Sequence, residues 1–394
     1  MSEVIYLSAK EAANELGVRP ATLYAYVSRG LIRSVQGAGR TRLYDASDVR
    51  FLRSRRAGEG TEEREGQSRS AAAKGVLETK LTLLTDEGHY YRGQSALELA
   101  RAGTLESVAT LLWDCKNDPF AQPAPQAVGL LSEHQQPVER AIIALCCWPE
   151  QDTAAYTLSQ ELLKQKGASL TRLAASALLF QEPSTAPMHR QIAHAWGIHD
   201  EKAIDLIRAT LVLCADHELN TSAYAVRCAA STRAPLHAVL ISGLGAFMGP
   251  RHGTNAERVL SWLKHIHARD DIESVLQERC MNGEYLPGLG HSVYGGPDPR
   301  GEFLLDMLMQ SELDHPLIEL IPPLLERSRE LFGKHMNVDF PLALLVQVLH
   351  LPKKSAGILF GISRISGWIA QALEQYQLQE QIRPRAAYVG IRPS

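Results

Sequence analysis

The 394-residue chain has no apolar run long enough to cross a bilayer. Its longest, Ala234 to Pro250, carries His237 and three glycines and falls short of the roughly 20 residues a span needs. That stretch reads instead as a buried core helix. Met1-Ser2-Glu3-Val4 lacks the basic and apolar regions of a secretory leader, so a cytoplasmic address is the expectation. Cys115, Cys146, Cys147, Cys214, Cys228 and Cys280 include no Cys-x-x-Cys pair, and a chain this long needs no disulfide framework. Reduced thiols are expected, with Cys146 and Cys147 packed in an apolar stretch. No Walker A run, dinucleotide fingerprint or fixed-period repeat occurs, which argues against these nucleotide folds and against a solenoid. His265-Ile266-His267 is half a metal site at best, because residues two apart on a helix face different ways, so no metal is expected.

What is present is a globular composition, 45% apolar and 22% charged, on a chain longer than one core supports. Two or three domains follow. The net charge of −3 is unevenly spread. From Met1 to Ala57 there are ten Lys and Arg against five Asp and Glu, a local +5, which leaves about −8 on the rest. A basic module attached to an acidic body is the implied layout.

Within that module, Ser8-Ala9-Lys10-Glu11 is a capping box that should start a helix striped by Ala12, Ala13 and Leu16 and ended by Gly17. Pro20 suits the first position of a second helix, which runs to about Arg29. Arg33 to Tyr44, with Gly37 and Gly39 between extended residues, reads as a β-hairpin wing, and Asp45 caps a third helix. Residues 1–56 thus resemble a winged helix-turn-helix of the MerR type. The resemblance implies DNA as a partner, with Thr22 and Tyr24 on the recognition helix and Arg40 and Arg42 on the wing meeting phosphates. A helical module for oligomerisation or protein contacts is the competing reading.

Residues 57–72 are rich in Arg, Glu, Gly and Ser and form the expected flexible linker. Beyond about Ala73, segments with helical periodicity recur, among them Ser95 to Cys115, Val138 to Cys147, Ser169 to Phe180 and Ala203 to Leu213. No set of alternating strands is evident, so the body should be nearly all helical. Polar clusters interrupt it at Asp216-His217-Glu218, Gly249-Pro250-Arg251-His252-Gly253, Pro287-Gly288-Leu289-Gly290-His291, Asp298-Pro299-Arg300 and Asn337-Val338-Asp339-Phe340. Arg364 in Phe360-Gly361-Ile362-Ser363-Arg364 and Arg383 in Ile382-Arg383-Pro384-Arg385 complete the set. Taken singly, each is a surface or capping residue.

As an ordered series they resemble the active-site signatures of the citrate synthase family. The likeness runs from about Gly75 to the C-terminus and includes Glu78-Thr79 and Tyr91-Arg92-Gly93 in its opening segment. It implies a mainly α, two-domain helical fold, with a large domain of residues 73–255 and 350–394 and a hinged small domain of residues 256–349. It also implies a homodimer, no membrane association, and no cofactor, since acyl-CoA is a substrate. The reaction implied joins a short acyl-CoA, acetyl-CoA first, to oxaloacetate through an enol and hydrolyses the product to citrate and CoA. A 2-methylcitrate synthase using propionyl-CoA is the near variant.

Carried over residue by residue, the resemblance makes Asp339 the base at the acyl carbon, His252 the donor to the thioester oxygen and His291 the group polarising the 2-oxo carbonyl. Arg300, Arg364 and Arg383 would clamp the two carboxylates of oxaloacetate, with His217 adding a contact. Arg383 would reach the site of the other protomer. The chain departs from the family after His252, where Gly253-Thr254-Asn255-Ala256 replaces Gly-Gly-Ala-Asn and brings the Asn one place forward. Phe340-Pro341 follows Asp339, Cys214 stands where a first histidine is frequent, and Ser292 stands where an Arg is frequent. Two functional readings follow: an acyl-CoA condensing enzyme, or a DNA-binding regulator whose synthase-like body senses oxaloacetate, citrate or acyl-CoA.

Overall fold

A computed structural model describes residues 6–16, 18, 20–28, 32–36, 41–46, 48–49, 77–384 and 390. The expected linker 57–72 and the wing residue Arg40 lie outside the described residues. The chain divides into two compact units, Met1–Leu77 with Pro384–Ser394, and Glu78–Arg383.

In the N-terminal unit the capping box forms as the sequence predicts. Glu11 N–H donates to Ser8 Oγ at 3.3 Å, and Ser8 N–H donates to the Glu11 carboxylate at 2.8 Å. They open helix α1 (Ala9–Leu16), whose Ala12, Ala13 and Leu16 are buried beside Leu23 of α2 (Pro20–Ser28). Strands β1 (Tyr6–Ser8), β2 (Ser34–Gln36) and β3 (Arg42–Asp45) pair antiparallel with β3 in the centre. Val35 faces Leu43 across the wing, and Tyr44, 1% exposed, closes the small core.

The body is mainly helical, as expected, but it opens with a small sheet that helical periodicity does not disclose. Strands β4 (Thr82–Thr85), β5 (Gly88–Tyr91) and β6 (Gln94–Ser95) are antiparallel neighbours in that order. They are two to four residues long, too short to leave an alternating pattern. Tyr91-Arg92-Gly93 forms the tight turn between β5 and β6, with Arg92 at φ 47° and Gly93 at φ 83°.

Helices α3 (Ala96–Ala102) and α4 (Leu105–Leu112) follow, separated by Gly103 and capped by Ser95 and Thr104. Then come α5 (Pro137–Cys146), α6 (Trp148–Gln151), α7 (Gln160–Leu179), α8 (Met188–Trp196), α9 (Glu201–Leu213), α10 (Thr221–Ser231) and α11 (Leu236–Phe247). Cys146 is exposed rather than packed: it is the last residue of α5, and the helix buries Ala141, Ala144 and Leu145 instead. The apolar run around α11 is a core helix, as the sequence implies.

A second group comprises α12 (Asn255–Leu263), α13 (Arg269–Met281), α14 (Pro299–Gln310), α15 (Pro316–Phe332) and α16 (Asp339–Val348). In it α16 packs on α12 and α14, and α13 on α15. The chain then enters α17 (Ser355–Gln377), which is buried over most of its 23 residues and packs against α4, α7, α9, α10 and α11. Contrary to the sequence expectation, one helix among the described residues, α17, is long and apolar enough to cross a membrane, but 94% of its apolar window is buried inside the body. It is the central core helix, with Trp368 fully buried and Trp113 Nε1 donating to Ser366 O at 2.8 Å.

Two glycines let neighbouring segments approach closely there. A Cβ on Gly243 of α11 would meet Val226 at 2.8 Å and Trp368 at 2.9 Å, and one on Gly367 of α17 would lie 2.2 Å from Ala215 O. The second contact presses α17 against the residues leading to His217.

Candidate active site

Helix α9, capped by Asp200 accepting from Lys202 N–H at 2.8 Å, delivers Cys214-Ala215-Asp216-His217 into the core. Asp216 has no exposure. It accepts from Thr82 Oγ1 at 2.6 Å, from Glu218 N–H at 3.2 Å and from Gln371 at 3.3 Å, and burial holds its carboxyl above the usual range. Tyr91 OH donates to the carbonyls of Val212 and Leu213 at 2.9 and 3.1 Å, so the opening sheet braces the same turn. His217 is 6% exposed, and its Nε2 lies 2.9 Å from the Tyr294 hydroxyl. Burial first, and then Arg300, keep its imidazole neutral.

After α11 the chain turns through Gly249 to Asn255. His252 N–H bonds Gly249 O at 3.0 Å, Gly253 N–H bonds Phe247 O at 3.1 Å and Asn255 N–H bonds His252 O at 3.2 Å. Gly253 is required at its place, since a Cβ there would lie 2.4 Å from the Phe247 ring. The His252 ring packs edge-on against Phe247 and Phe360. Its Nε2 is 2.7 Å from Ser222 Oγ, which accepts from Trp368 Nε1–H at 3.1 Å and donates to Asn220 Oδ1 at 2.8 Å. Burial, with a contribution from Arg364, pushes the His252 pKa down to about 4.

The loop carrying His291 is shaped by Gly288 at φ 89° and Gly290 at φ 80°, values open to glycine. Asn337 staples it: its N–H bonds Gly288 O at 2.9 Å and its Nδ2 bonds Gly290 O at 2.8 Å. His291 Nδ1 accepts from Val293 N–H at 3.1 Å. The ring lies 4.8 Å from that of Tyr294 and meets His217 edge-on at 5.3 Å. Burial, then Arg300, lower its pKa. Because Nδ1 accepts, the neutral ring carries its proton on Nε2.

Asp339 is the first residue of α16, beside α12. Its N–H bonds Asn337 Oδ1 at 3.0 Å, and its Oδ2 accepts from Asn255 Nδ2 at 2.7 Å. Burial raises its pKa to about 6, against the opposing pull of Asn255 and Arg300. Arg300, 3% exposed, sits at the N-terminus of α14 and is gripped by the helix cap Asp298, with Nε–Oδ1 at 3.0 Å and Nη2–Oδ2 at 2.7 Å. Arg364, 1% exposed, donates Nε–H to Cys214 O at 2.9 Å and lies over the Phe360 ring. Among the described residues only its Nε is hydrogen-bonded, so this buried guanidinium keeps its two terminal nitrogens for an anion.

His217, His252, His291, Arg300, Arg364 and Asp339 therefore converge on one neighbourhood, coupled through Arg300 and Arg364. Beside it opens a cavity of about 350 Å³ lined by Tyr285, His291, Ser292, Tyr294, Lys334 and His335. Arg383 does not join them; it is exposed near the end of the described body. Sequence reasoning passed over Ser222, Asn255 and Tyr294 as functional contacts. The signals were present for two of them: Asn220 caps α10 and places Ser222 in its first turn, and Tyr294 follows His291 by three residues. Asn255 was visible only as a shifted residue. In the N-terminal unit, Tyr24 and Arg42 are exposed and Thr22 is partly buried.

The replacements noted in sequence have structural consequences. Buried Cys214 contributes its carbonyl to Arg364, with its thiol pushed up to about 11 by burial. Phe340 is buried against Trp262, and Ser292 is exposed at the cavity.

Residues 151–385 match the family described as citrate synthase, C-terminal domain, and residues 6–56 match a helix-turn-helix domain family. The putative citrate synthase 2 of Mycobacterium tuberculosis (strain ATCC 25618 / H37Rv) is 30% identical over 261 residues, which cover 62% of this chain and 69% of the relative. The citrate synthase of Haloferax volcanii is 28% identical over 354 residues, covering 80% and 93%. Among solved structures, the citrate synthase from Thermotoga maritima MSB8 superposes with a TM-score of 0.68 at 25% identity, covering 81% of this chain and 94% of that one.

Proposed function

Because the chain belongs to the citrate synthase family, we propose that its body is an acyltransferase that condenses a short acyl-CoA, acetyl-CoA first, with oxaloacetate and hydrolyses the product to citrate and CoA. The observation that carries this reading is the pairing of a carboxylate whose pKa is raised to about 6 with two histidines held neutral in one buried neighbourhood. A base of that strength is ionised at neutral pH yet avid for a proton, and neutral imidazoles can donate without surrendering charge.

In this mechanism Asp339 takes a proton from the carbon next to the thioester carbonyl, and His252 donates a hydrogen bond to the thioester oxygen as the enol forms. Ser222 Oγ engages His252 Nε2 at 2.7 Å, which leaves Nδ1 as the ring nitrogen available to the thioester oxygen. The enol carbon then attacks the 2-oxo carbon while His291 Nε2–H protonates the ketone oxygen, giving an alcohol and a new carbon–carbon bond. Water cleaves the resulting thioester to citrate and CoA. Arg364, the Nη1 edge of Arg300 and His217 hold the oxaloacetate carboxylates and carbonyl. Arg383 completes the clamp from the other protomer of a homodimer, consistent with its exposure. Residues 256–349 act as a small domain closing on residues 73–255 and 350–394 to exclude water until the thioester is formed. No metal or prosthetic group takes part, and the enzyme works in the cytoplasm.

The test is thiol release from acetyl-, propionyl- and butyryl-CoA with oxaloacetate. Turnover with one of them, lost on Asp339→Asn, supports the reading. A folded chain inert toward all three removes it.

A specific observation favours a second activity on the same chain. The helix-turn-helix match and the exposed Tyr24 and Arg42 on a basic unit fit DNA binding by residues 1–56, which would make the condensing body a sensor for oxaloacetate, citrate or acyl-CoA. Operator affinity measured at fixed salt with and without these ligands tests it. Equal affinity in both conditions rejects the sensing role.

A further inference from the structure

Asn255 stands one place earlier than the family pattern puts its asparagine, and the structure gives that shift a consequence. Its side chain makes the only hydrogen bond that the Asp339 carboxylate receives among the described residues, Nδ2–H to Oδ2 at 2.7 Å. Its backbone N–H closes the turn onto His252 O at 3.2 Å. One residue therefore ties the main chain of His252 to the side chain of Asp339.

We propose that Asn255 is the positioning residue of the proton-abstraction step, holding Oδ2 of Asp339 so that Oδ1 is the oxygen presented to the acyl carbon, and fixing the spacing between that oxygen and His252. The inference rests on the reading of Asp339 as the base. Three features beyond the bond itself support it. Asp339 Oδ1 has no protein partner among the described residues, so the carboxylate has one tethered and one available oxygen. Asn255 is the first residue of α12 and Asp339 the first of α16, and these two helices pack on each other, so both backbones are fixed. The Asp339 backbone is separately pinned by Asn337, which leaves the carboxylate rotation as the one freedom Asn255 must settle. An asparagine supplies a donor without a positive charge, which would pair with the carboxylate and lower its affinity for the substrate's proton.

The side chain also touches the pH response. A donor to a carboxylate stabilises the ionised form, so its removal moves the Asp339 titration upward. A structural role elsewhere in the turn would leave that titration in place.

The experiment compares the full-length wild type with Asn255→Ala, the near-isosteric Asn255→Asp and Asp339→Asn, each checked for folding by thermal unfolding. The readouts are kcat, KM for oxaloacetate and the pH profile of kcat with the preferred acyl-CoA. Both Asn255 variants should lose about 30- to 100-fold in kcat, the range for a misplacement near 1 Å, with KM for oxaloacetate within about threefold. The acid limb should move to higher pH, and further in Asn255→Asp, which sets a second carboxylate beside the first. Should Asn255→Ala unfold, Asn255→Asp, which keeps shape and volume, decides the outcome. Wild-type kcat and an unmoved acid limb in a folded Asn255 variant overturn the inference. Undiminished kcat in Asp339→Asn instead overturns the assignment of the base, which keeps the two failures apart.

Discussion

The Tyr294 hydroxyl meets Nε2 of His217 at 2.9 Å while its ring lies 4.8 Å from that of His291, so one tyrosine orients both histidines expected to face oxaloacetate. Burial pushes its pKa up to about 12, which keeps the hydroxyl protonated across the working range. Tyr294→Phe preserves the ring stack and removes the hydrogen bond. A hydrogen bond of this kind contributes about 0.5–1.5 kcal/mol. KM for oxaloacetate should therefore rise about 2- to 12-fold, with KM for acyl-CoA unchanged, as steady-state kinetics would show. Unchanged KM for oxaloacetate would mean that His217 needs no partner.

The raised Asp339 and the depressed histidines fix the form of the pH profile. With Asp339 as the proposed base, kcat/KM, which reports the free enzyme, should rise with pH through about 6 on a single ionisation. His252, pushed down to about 4, is already neutral there and should add no limb between pH 6 and 8. A histidine-like limb near 7 that survives in Asp339→Glu would contradict this.

The same shift makes a stability prediction of definite sign. A carboxyl whose folded pKa is raised from 3.8 to about 6 binds its proton more tightly when folded. Its contribution is present below about pH 4 and is lost as pH climbs through about 6. Asp339→Asn carries no such loss. Above pH 7 the variant should be more stable than wild type by about 1–3 kcal/mol, and near pH 4 the two should converge. Urea unfolding at pH 4 and 7.5 measures both points. The base would then be a residue that costs the fold stability.

Much of the candidate site was legible because the side chains proposed for it stand at the breaks in a helical pattern: His217 after α9, His252 after α11, His291 in a glycine loop, Asp339 at the start of α16. Helix breaks are written in Gly, Pro and capping residues, which a linear reading can find. The winged module was legible for the same reason, through Ser8, Glu11 and Pro20. The sheet before α3 was not, because its strands are two to four residues long and their register depends on Tyr91 reaching the end of α9. Nor were the Ser222–His252 and Asn255–Asp339 contacts. Residues 30 and 84 positions apart meet only through the packing of whole helices, and a one-residue shift such as that of Asn255 looks like a loss until the partner is seen.

Gly367 shows how tightly the site depends on a backbone contact. Its Cα side faces Ala215 O, where an added Cβ would sit at 2.2 Å, and Asp216 Oδ1, where it would sit at 2.7 Å. Ala215 O is backbone, and the Asp216 carboxylate is held by Thr82 and Gln371, so Gly367→Ala must displace the turn that delivers His217. Overpacking of this kind costs about 1–3 kcal/mol. We expect a lower unfolding midpoint together with a higher KM for oxaloacetate. A destabilised variant with wild-type KM would show that α17 can shift without carrying the 215–217 turn.

Arg42 and Tyr24 allow two components of the proposed DNA recognition by the N-terminal unit to be tested apart. Arg33, the other described cation of the wing, is committed: its Nε and Nη2 fork onto Asp48 at 2.8 and 3.0 Å, and Nη2 also lies 3.0 Å from Asp45. That pairing locks the wing to the residues after β3 and removes Arg33 as a phosphate contact. Arg42 is exposed on β3, and Tyr24 is 52% exposed in the middle of α2. A phosphate contact carries charge but no sequence information, whereas a side chain on the recognition helix carries the reverse. Arg42→Ala in the full-length chain should weaken binding alike for specific and random duplexes and reduce the slope of log affinity against log salt by about 1. Tyr24→Ala should leave that slope unchanged and lower the ratio of specific to random binding. Titrations of labelled duplexes over a salt series resolve the two. If neither variant alters affinity or specificity, the module binds something other than DNA, and the condensing body stands as an enzyme without a regulatory output through this unit.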